Sequence, residues 1–145
     1  MRLISRTGKN EDKRWLFSVY KTTLRHHIEE TWGWDEKFQQ KSFKKTLHPR
    51  NFRIISHDNV DCAAYVLVKR PDYYWLEMLL VSPEKQRQGI GKKIMNRVIE
   101  ESQSAGLPLG LSIIKTNPVL GFYTSLGFVV FEEDDAVMKL RRAFK

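Results

Sequence analysis

"VSPEKQRQGIGKKIMNRVIEES", residues 81–102, is the stretch whose reading decides the fold. An apolar run stops at Ser82-Pro83, a polar Gln86-Arg87-Gln88 follows, and Gly89-Ile90-Gly91 leads into an amphipathic helix. Glycine in a helix costs about 1 kcal/mol relative to alanine, so two of them at a helix start need a backbone reason. A strand that feeds a Gly-rich turn into a helix gathers unpaired N–H groups and the positive end of the helix dipole at one point. Gly89 and Gly91 would let an anion approach that point with no Cβ in the way. Two familiar phosphate loops are excluded by spacing. Gly89-Ile90-Gly91-Lys92 is too compact for G-x-x-x-x-G-K-[ST], and Ile94 stands where G-x-G-x-x-G requires its third glycine. Taken alone, the pair of glycines fits either a phosphate cradle or plain helix entry.

Outward from this stretch, Ile90, Ile94, Val98, Ile99 and Ala105 form one helical stripe, stopped by Gly106 and Pro108. Upstream, residues 52–56, 62–70 and 73–81 read as three strands of an antiparallel meander, separated by "HDNVD" and Pro71-Asp72. The first residues, "LISR" at 3–6, alternate like a short strand. Trp15, Leu16, Val19, Tyr20, Leu24 and Ile28 then recur at helical spacing from Glu11 to about Ile28, with Asn10, Glu11 and Asp12 suited to the N-terminus. Gly33 breaks this helix. Asp35 caps a second one that carries Phe38 and Phe43 and closes at His48-Pro49. Downstream lie a strand at 109–115, a short helix within "NPVLGFYTSLGF" (117–128), and a hairpin of "VVFEE" and "AVMKL" around Asp134-Asp135. The order β-α-α-β-β-β-α-β-α-β-β predicts one α/β domain over residues 1–145 with a mixed sheet.

The net charge of +8 is concentrated early: residues 1–53 hold 13 Lys/Arg against 6 Asp/Glu, whereas residues 54–106 balance at 7 and 7. No basic block interleaved with aromatics supports a nucleic-acid grip, so the surplus reads as a solvated face or as attraction for an anionic substrate or cofactor. The N-terminus lacks the apolar run of a signal peptide, and "WLEMLLV" (75–81) is too short to span a bilayer. Cys62 is the sole cysteine and opens an apolar strand, which excludes a disulfide framework. His26-His27 point about 100° apart on a helix and lack a ligand-spaced partner, so no metal is expected. A cytoplasmic protein that binds neither membrane nor nucleic acid is the expectation.

Gln86-Arg87-Gln88-Gly89-Ile90-Gly91 matches the Q/R-x-x-G-x-G/A motif of the GNAT N-acetyltransferase superfamily, in that family's setting of strand, motif and long helix. "NPVLGFYTSLGF" resembles the family's Asn-containing loop and its helix ending in Y-x-x-L-G-F. The resemblance runs from Leu3 to the last hairpin, and "WGWDEKFQQKSF" (32–43) looks like small bacterial members of unassigned substrate. It implies the GNAT acetyltransferase fold, a mixed, mostly antiparallel sheet flanked by helices. It also implies acetyl-CoA as co-substrate and direct transfer, in a ternary complex, to a primary amine of a small molecule or peptide. By the resemblance, the amides of Arg87, Gln88, Gly89, Ile90, Gly91 and Lys92 hold the pyrophosphate, and Leu79 and Val81 pair with the pantetheine arm. The Leu79 N–H serves as oxyanion donor. Asn117 touches the arm or merely caps a helix, and Phe122 and Leu120 line its apolar side or fill core.

By the same resemblance Tyr123 is the candidate acid for the departing sulfur, or else a packed aromatic, and Glu77 is the candidate base, directly or through water, or else a carboxylate paired with a neighbouring Arg or Lys. Strand alternation puts Glu77 on the face of Leu79 and Val81. Trp32, Trp34 and Tyr74, with Phe38 and Tyr73, are candidates for the acceptor side, and Arg25 and Arg53 for anion clamps there. A non-catalytic acyl-CoA sensor is the competing reading, and exposed sheet edges leave a homodimer open.

Overall fold

The computed structural model describes residues 2–143; Met1, Phe144 and Lys145, the outermost residues of the expected domain, lie outside the described residues. Among the described residues seven strands form one sheet, in the order β1-β2-β3-β4-β5-β7-β6. They are β1 (Leu3–Thr7), β2 (Arg53–His57), β3 (Val60–Lys69), β4 (Tyr74–Val81), β5 (Leu109–Ile114), β6 (Val129–Glu133) and β7 (Val137–Arg142). The helices are α1 (Lys13–Trp32), α2 (Glu36–Thr46), α3 (Ile90–Ala105) and α4 (Leu120–Ser125). The fold is an open mixed sheet flanked by helices, in the element order expected. Two compact units are distinguished, one of the residues up to Val66 with Met78–Lys92, the other of Leu67–Glu77 with the residues from Lys93 onward.

In the first unit β1 runs antiparallel to β2, and β2 antiparallel to β3 with a bulge between Ile55 and Ser56. The β2–β3 turn is Asp58-Asn59, both at positive φ (52° and 63°), the left-handed pair that matches the twist of a hairpin. Leu16, Val19, Ile28, Phe43, Phe52, Ile54, Ile55 and the run Cys62–Val66 make the core. Phe43 sits at its aromatic centre, with ring centroids 4.8 Å from Tyr20, 5.6 Å from Phe17 and 6.0 Å from Phe52. Asp35 caps α2 as expected, accepting the Phe38 N–H at 3.0 Å. The start of α1 differs. Asn10 belongs to a short 3-10 turn, and Asp12 is the N-cap. The Asp12 carboxylate accepts the Lys9 N–H at 2.7 Å and both terminal nitrogens of Arg6 at 2.8 and 2.9 Å. Arg6 also reaches Asp61 at 2.9 Å. The Asp12 carboxylate is thus committed to Arg6 and the Lys9 amide and makes no side-chain cap bond to α1.

In the second unit β5 runs parallel to β4 over Tyr74–Leu76 and Leu109–Leu111, and antiparallel to β7, which pairs with β6. In α3, Ile94, Met95 and Val98 are fully buried, each burial stabilising by roughly 1.5–3 kcal/mol as an upper figure. Ala105, expected in the stripe, is exposed; Met95 is buried in the stripe instead. The helix stops as expected. Gly106 (φ 71°) donates to the Gln103 carbonyl and Leu107 to that of Ser102, the paired bonds of a glycine C-cap. Gly110 lies opposite Trp75, and its missing side chain makes room for the indole.

Candidate functional site

The loop after β4 is held by backbone bonds and by two glutamine side chains. Ser82 is buried and its N–H donates to the Cys62 carbonyl at 2.8 Å. Pro83–Lys85 form a 3-10 turn, the Gln86 side chain donates back to the Val81 carbonyl at 2.8 Å, and Gln88 donates to that of Glu84 at 3.2 Å. The chain then takes two left-handed residues, Arg87 (φ 65°) and Gly89 (φ 81°), before Ile90 buries its side chain at the head of α3. The amides of Arg87, Gln88 and Gly89 have no hydrogen-bond partner among the described residues. Those of Ile90, Gly91 and Lys92 open the first turn of α3, where a helix offers no carbonyl. A Cβ at Gly89 would meet nothing within 4 Å, so open space faces the bend. Left-handed residues followed by a helix start make a concave nest of N–H donors, and a nest suits an anion. Arg87 and Lys92, both exposed, add positive charge. These residues fit a phosphate group. Leu79 and Val81, just before the loop, are half-buried.

In the second unit, Asn117 is not a helix cap. Val119 holds that position with no side-chain bond, while Asn117 donates its N–H to Ile114 and accepts from Val119 through its carbonyl. Its side-chain amide has no partner among the described residues, which leaves it available to a ligand. Phe122 and Leu120 are half-buried. Tyr123 is buried and meets Phe122 and Phe128 edge-on at 5.0 and 5.7 Å. Burial pushes its phenol up to about 12. Glu77 is exposed to solvent rather than enclosed among the apolar side chains of β4.

Of the aromatic candidates, Trp32 and Phe38 are 59% and 62% exposed in the first unit, far more than core residues. Trp34 is engaged, with its indole N–H on Glu36 at 2.9 Å and Arg25 over its ring at 5.7 Å. Tyr73 and Tyr74 belong to the second unit, where Lys69 lies 5.7 Å over the Tyr74 ring. Both proposed clamps have other partners: Arg25 lies 3.8 Å from Glu29, and Arg53 donates to the hydroxyls of Ser5 and Thr7. Cys62 is fully buried, its thiol pushed up by burial; contrary to the expectation that His26 lacks a suitably spaced acidic partner, it pairs with Glu30, four residues on, at 2.6 Å. Among the described residues no group of three or more His, Cys, Asp or Glu could hold a metal ion, and no helix is long and apolar enough to cross a membrane.

Residues 49–130 match the family model described as acetyltransferase (GNAT) domain. Among curated proteins none matches significantly. Solved structures with the same fold include the PaiA N-acetyltransferase of Thermoplasma acidophilum in complex with coenzyme A. It is 17% identical, with 99% of each chain covered and a TM-score of 0.79. The ribosomal-protein-S18-alanine N-acetyltransferase of Escherichia coli is 19% identical, with 99% of this chain and 95% of that one covered and a TM-score of 0.69. Ard1 of Thermoplasma volcanium is 15% identical, with coverages of 99% and 98% and a TM-score of 0.72. The family match covers more than half of the chain, which therefore belongs to the GNAT acetyltransferases.

Proposed function

We propose that this GNAT acetyltransferase acts as one catalytic domain and moves the acetyl group of acetyl-CoA to a primary amine of a small molecule or peptide by direct attack. The observation that carries the choice of co-substrate is the run of unpartnered amides at Arg87–Gly89 ahead of α3, with open space at Gly89. The coenzyme A bound to the Thermoplasma acidophilum neighbour supports the same ligand here. When bound, acetyl-CoA supplies the thioester whose C–S bond breaks as the C–N bond forms. The amides of Arg87, Gln88, Gly89, Ile90, Gly91 and Lys92 hold its pyrophosphate. The paired stretch of β4 against β5 ends at Leu76, which favours a role for the Leu79 and Val81 backbone along the pantetheine arm. The uncommitted Asn117 amide and the Phe122 ring are assigned to that arm as well.

Each proton has a named carrier. Leu79 N–H donates to the oxygen that gains charge at the reacting carbonyl. The Tyr123 hydroxyl gives its proton to the departing sulfur. Held up near 12, it stays protonated at neutral pH, and the same apolar surroundings raise the basicity of a thiolate beside it. Glu77, in contact with solvent, takes the amine's proton directly or through a water. Trp32, Trp34 and Tyr74 are assigned to the acceptor.

The test is thiol release from acetyl-CoA with polyamines, amino acids, amino sugars and short peptides, on the wild type and on Tyr123→Phe. Release with at least one class is expected, with a loss in kcat of about tenfold or more in Tyr123→Phe, the scale of one general acid. Tight acetyl-CoA binding without release on any amine would overturn the transferase reading in favour of a sensor.

A further inference from the structure

The first unit holds a cleft of about 360 Å³ between the start of α1 and the end of α2. Its apolar floor is Phe17, Phe43, Leu47 and Pro49, with Phe17 and Phe43 edge-on at 5.6 Å. Lys13, Arg14 and Lys44 line it too, beside Gln40, and no carboxylate does. None of these three cations has an ion-pair partner among the described residues. Other basic side chains on α1 do have acidic partners: Lys21 takes Glu36, Arg25 takes Glu29 and His26 takes Glu30. The neighbouring Asp12 is occupied by Arg6 and the Lys9 amide.

The placement also runs against local electrostatics. Lys13 and Arg14 stand in the first turn of α1, where the helix dipole disfavours cations, and the acids just before them, Glu11 and Asp12, pair with neither among the described residues. Lys44 alone would be unremarkable, because it lies in the last turn of α2, where a cation is favoured. Three unpaired like charges around one apolar hollow repel one another, and an anion seated among them would relieve that repulsion.

We propose that this cleft binds an organic anion with an apolar body, such as a medium-chain or aryl carboxylate, independently of the acetyl-CoA site. Arg14 offers a fork for a carboxylate, and Lys13 and Lys44 add charge. The body lies on Phe17, Phe43, Leu47 and Pro49, and Gln40 supplies a polar edge. A volume at the small end of ligand sites suits a ring or a short chain rather than a long lipid tail.

The probe is octanoate, titrated into the full chain while backbone amide resonances are followed, with octanamide and inorganic phosphate as comparisons. Saturable shifts confined to residues 13–17 and 40–49 are expected. Binding should be about tenfold or more weaker for octanamide, for phosphate and for the exposed-charge double variant R14Q/K44Q, since a charged hydrogen bond is typically worth that much. No saturable shift, or equal affinity for octanamide or in the double variant, would overturn the proposal. Phosphate binding as well as octanoate would overturn the apolar half of it. A melting curve of the double variant matching wild type shows that the readout is not unfolding.

Discussion

Replacing Gly89 with alanine separates folding from cofactor binding. Gly89 sits at φ +81°, and an added Cβ would meet no atom within 4 Å. The methyl therefore clashes with nothing, and its cost is conformational. An L residue in the left-handed region costs about 1–2 kcal/mol. Losing glycine's extra freedom in the unfolded chain gives back about 0.4–1 kcal/mol. The net destabilisation is about 1 kcal/mol, or roughly 3 °C in Tm for a chain of this length. Gly106 provides the matched control, because it stands at φ +71° with equally open space, and Gly106→Ala should melt like Gly89→Ala. The two variants should part on ligand. Where the loop holds a pyrophosphate, a methyl on its open side weakens acetyl-CoA by about tenfold or more, a loss of at least about 1.4 kcal/mol. Gly106→Ala should bind like wild type. Calorimetric titration with acetyl-CoA, beside melting curves, reads both quantities. A folded Gly89→Ala with wild-type affinity, or an equal loss in Gly106→Ala, would refute the reasoning.

The buried Tyr123 gives an alkaline signature. Its folded value is raised above the ordinary 10, so its contribution to stability is complete below pH 10 and is lost as pH rises toward 12. Urea midpoints should fall less steeply over that window in Tyr123→Phe than in wild type; parallel slopes would contradict this. At the acid end, hydrogen bonds from Arg6 hold the Asp12 carboxyl below the usual range, which stabilises the fold above that range and is lost as pH falls through it. Arg6→Gln should flatten the acid limb of the stability curve and cost only about 1 kcal/mol at neutral pH, since Arg6 is partly exposed. Gly110→Ala would place a Cβ 2.5 Å from the Trp75 ring and should cost about 1–3 kcal/mol. A second change, Trp75→Leu, should recover part of that loss, and strictly additive melting data would rule out the contact.

Short-range signals carried most of the fold. The stripe of α3 was readable because Ile90, Ile94 and Val98 repeat at helical spacing, and its end because Gly106 and Pro108 follow it. The parallel pairing of β4 with β5 was not readable, since it depends on where α3 returns the chain. Arg25 with Glu29 is an i,i+4 pair that a local window can reveal, whereas the commitment of Arg53 to Ser5 and Thr7 joins distant parts of the chain and cannot be read locally. In the loop, sequence marked Gly89 as special but gave no hint that Arg87 shares its left-handed geometry. In sequence, Asn117 before Pro118 fits cap and ligand equally, because the cap, Val119, carries no capping side chain that would mark it. The cleft under Arg14 and Lys44 had no signature beyond a basic N-terminal third, because only the packing of α1 and α2 brings those cations to one hollow.

The most direct test of the central claim compares acetyl-CoA with S-acetylpantetheine, which keeps the thioester and lacks the pyrophosphate, while the loop amides are followed by NMR. The account predicts large saturable shifts at Arg87–Lys92 with acetyl-CoA, and weaker binding with those amides unmoved for S-acetylpantetheine. Loop amides that stay still at saturating acetyl-CoA, or that move equally with both ligands, would contradict it.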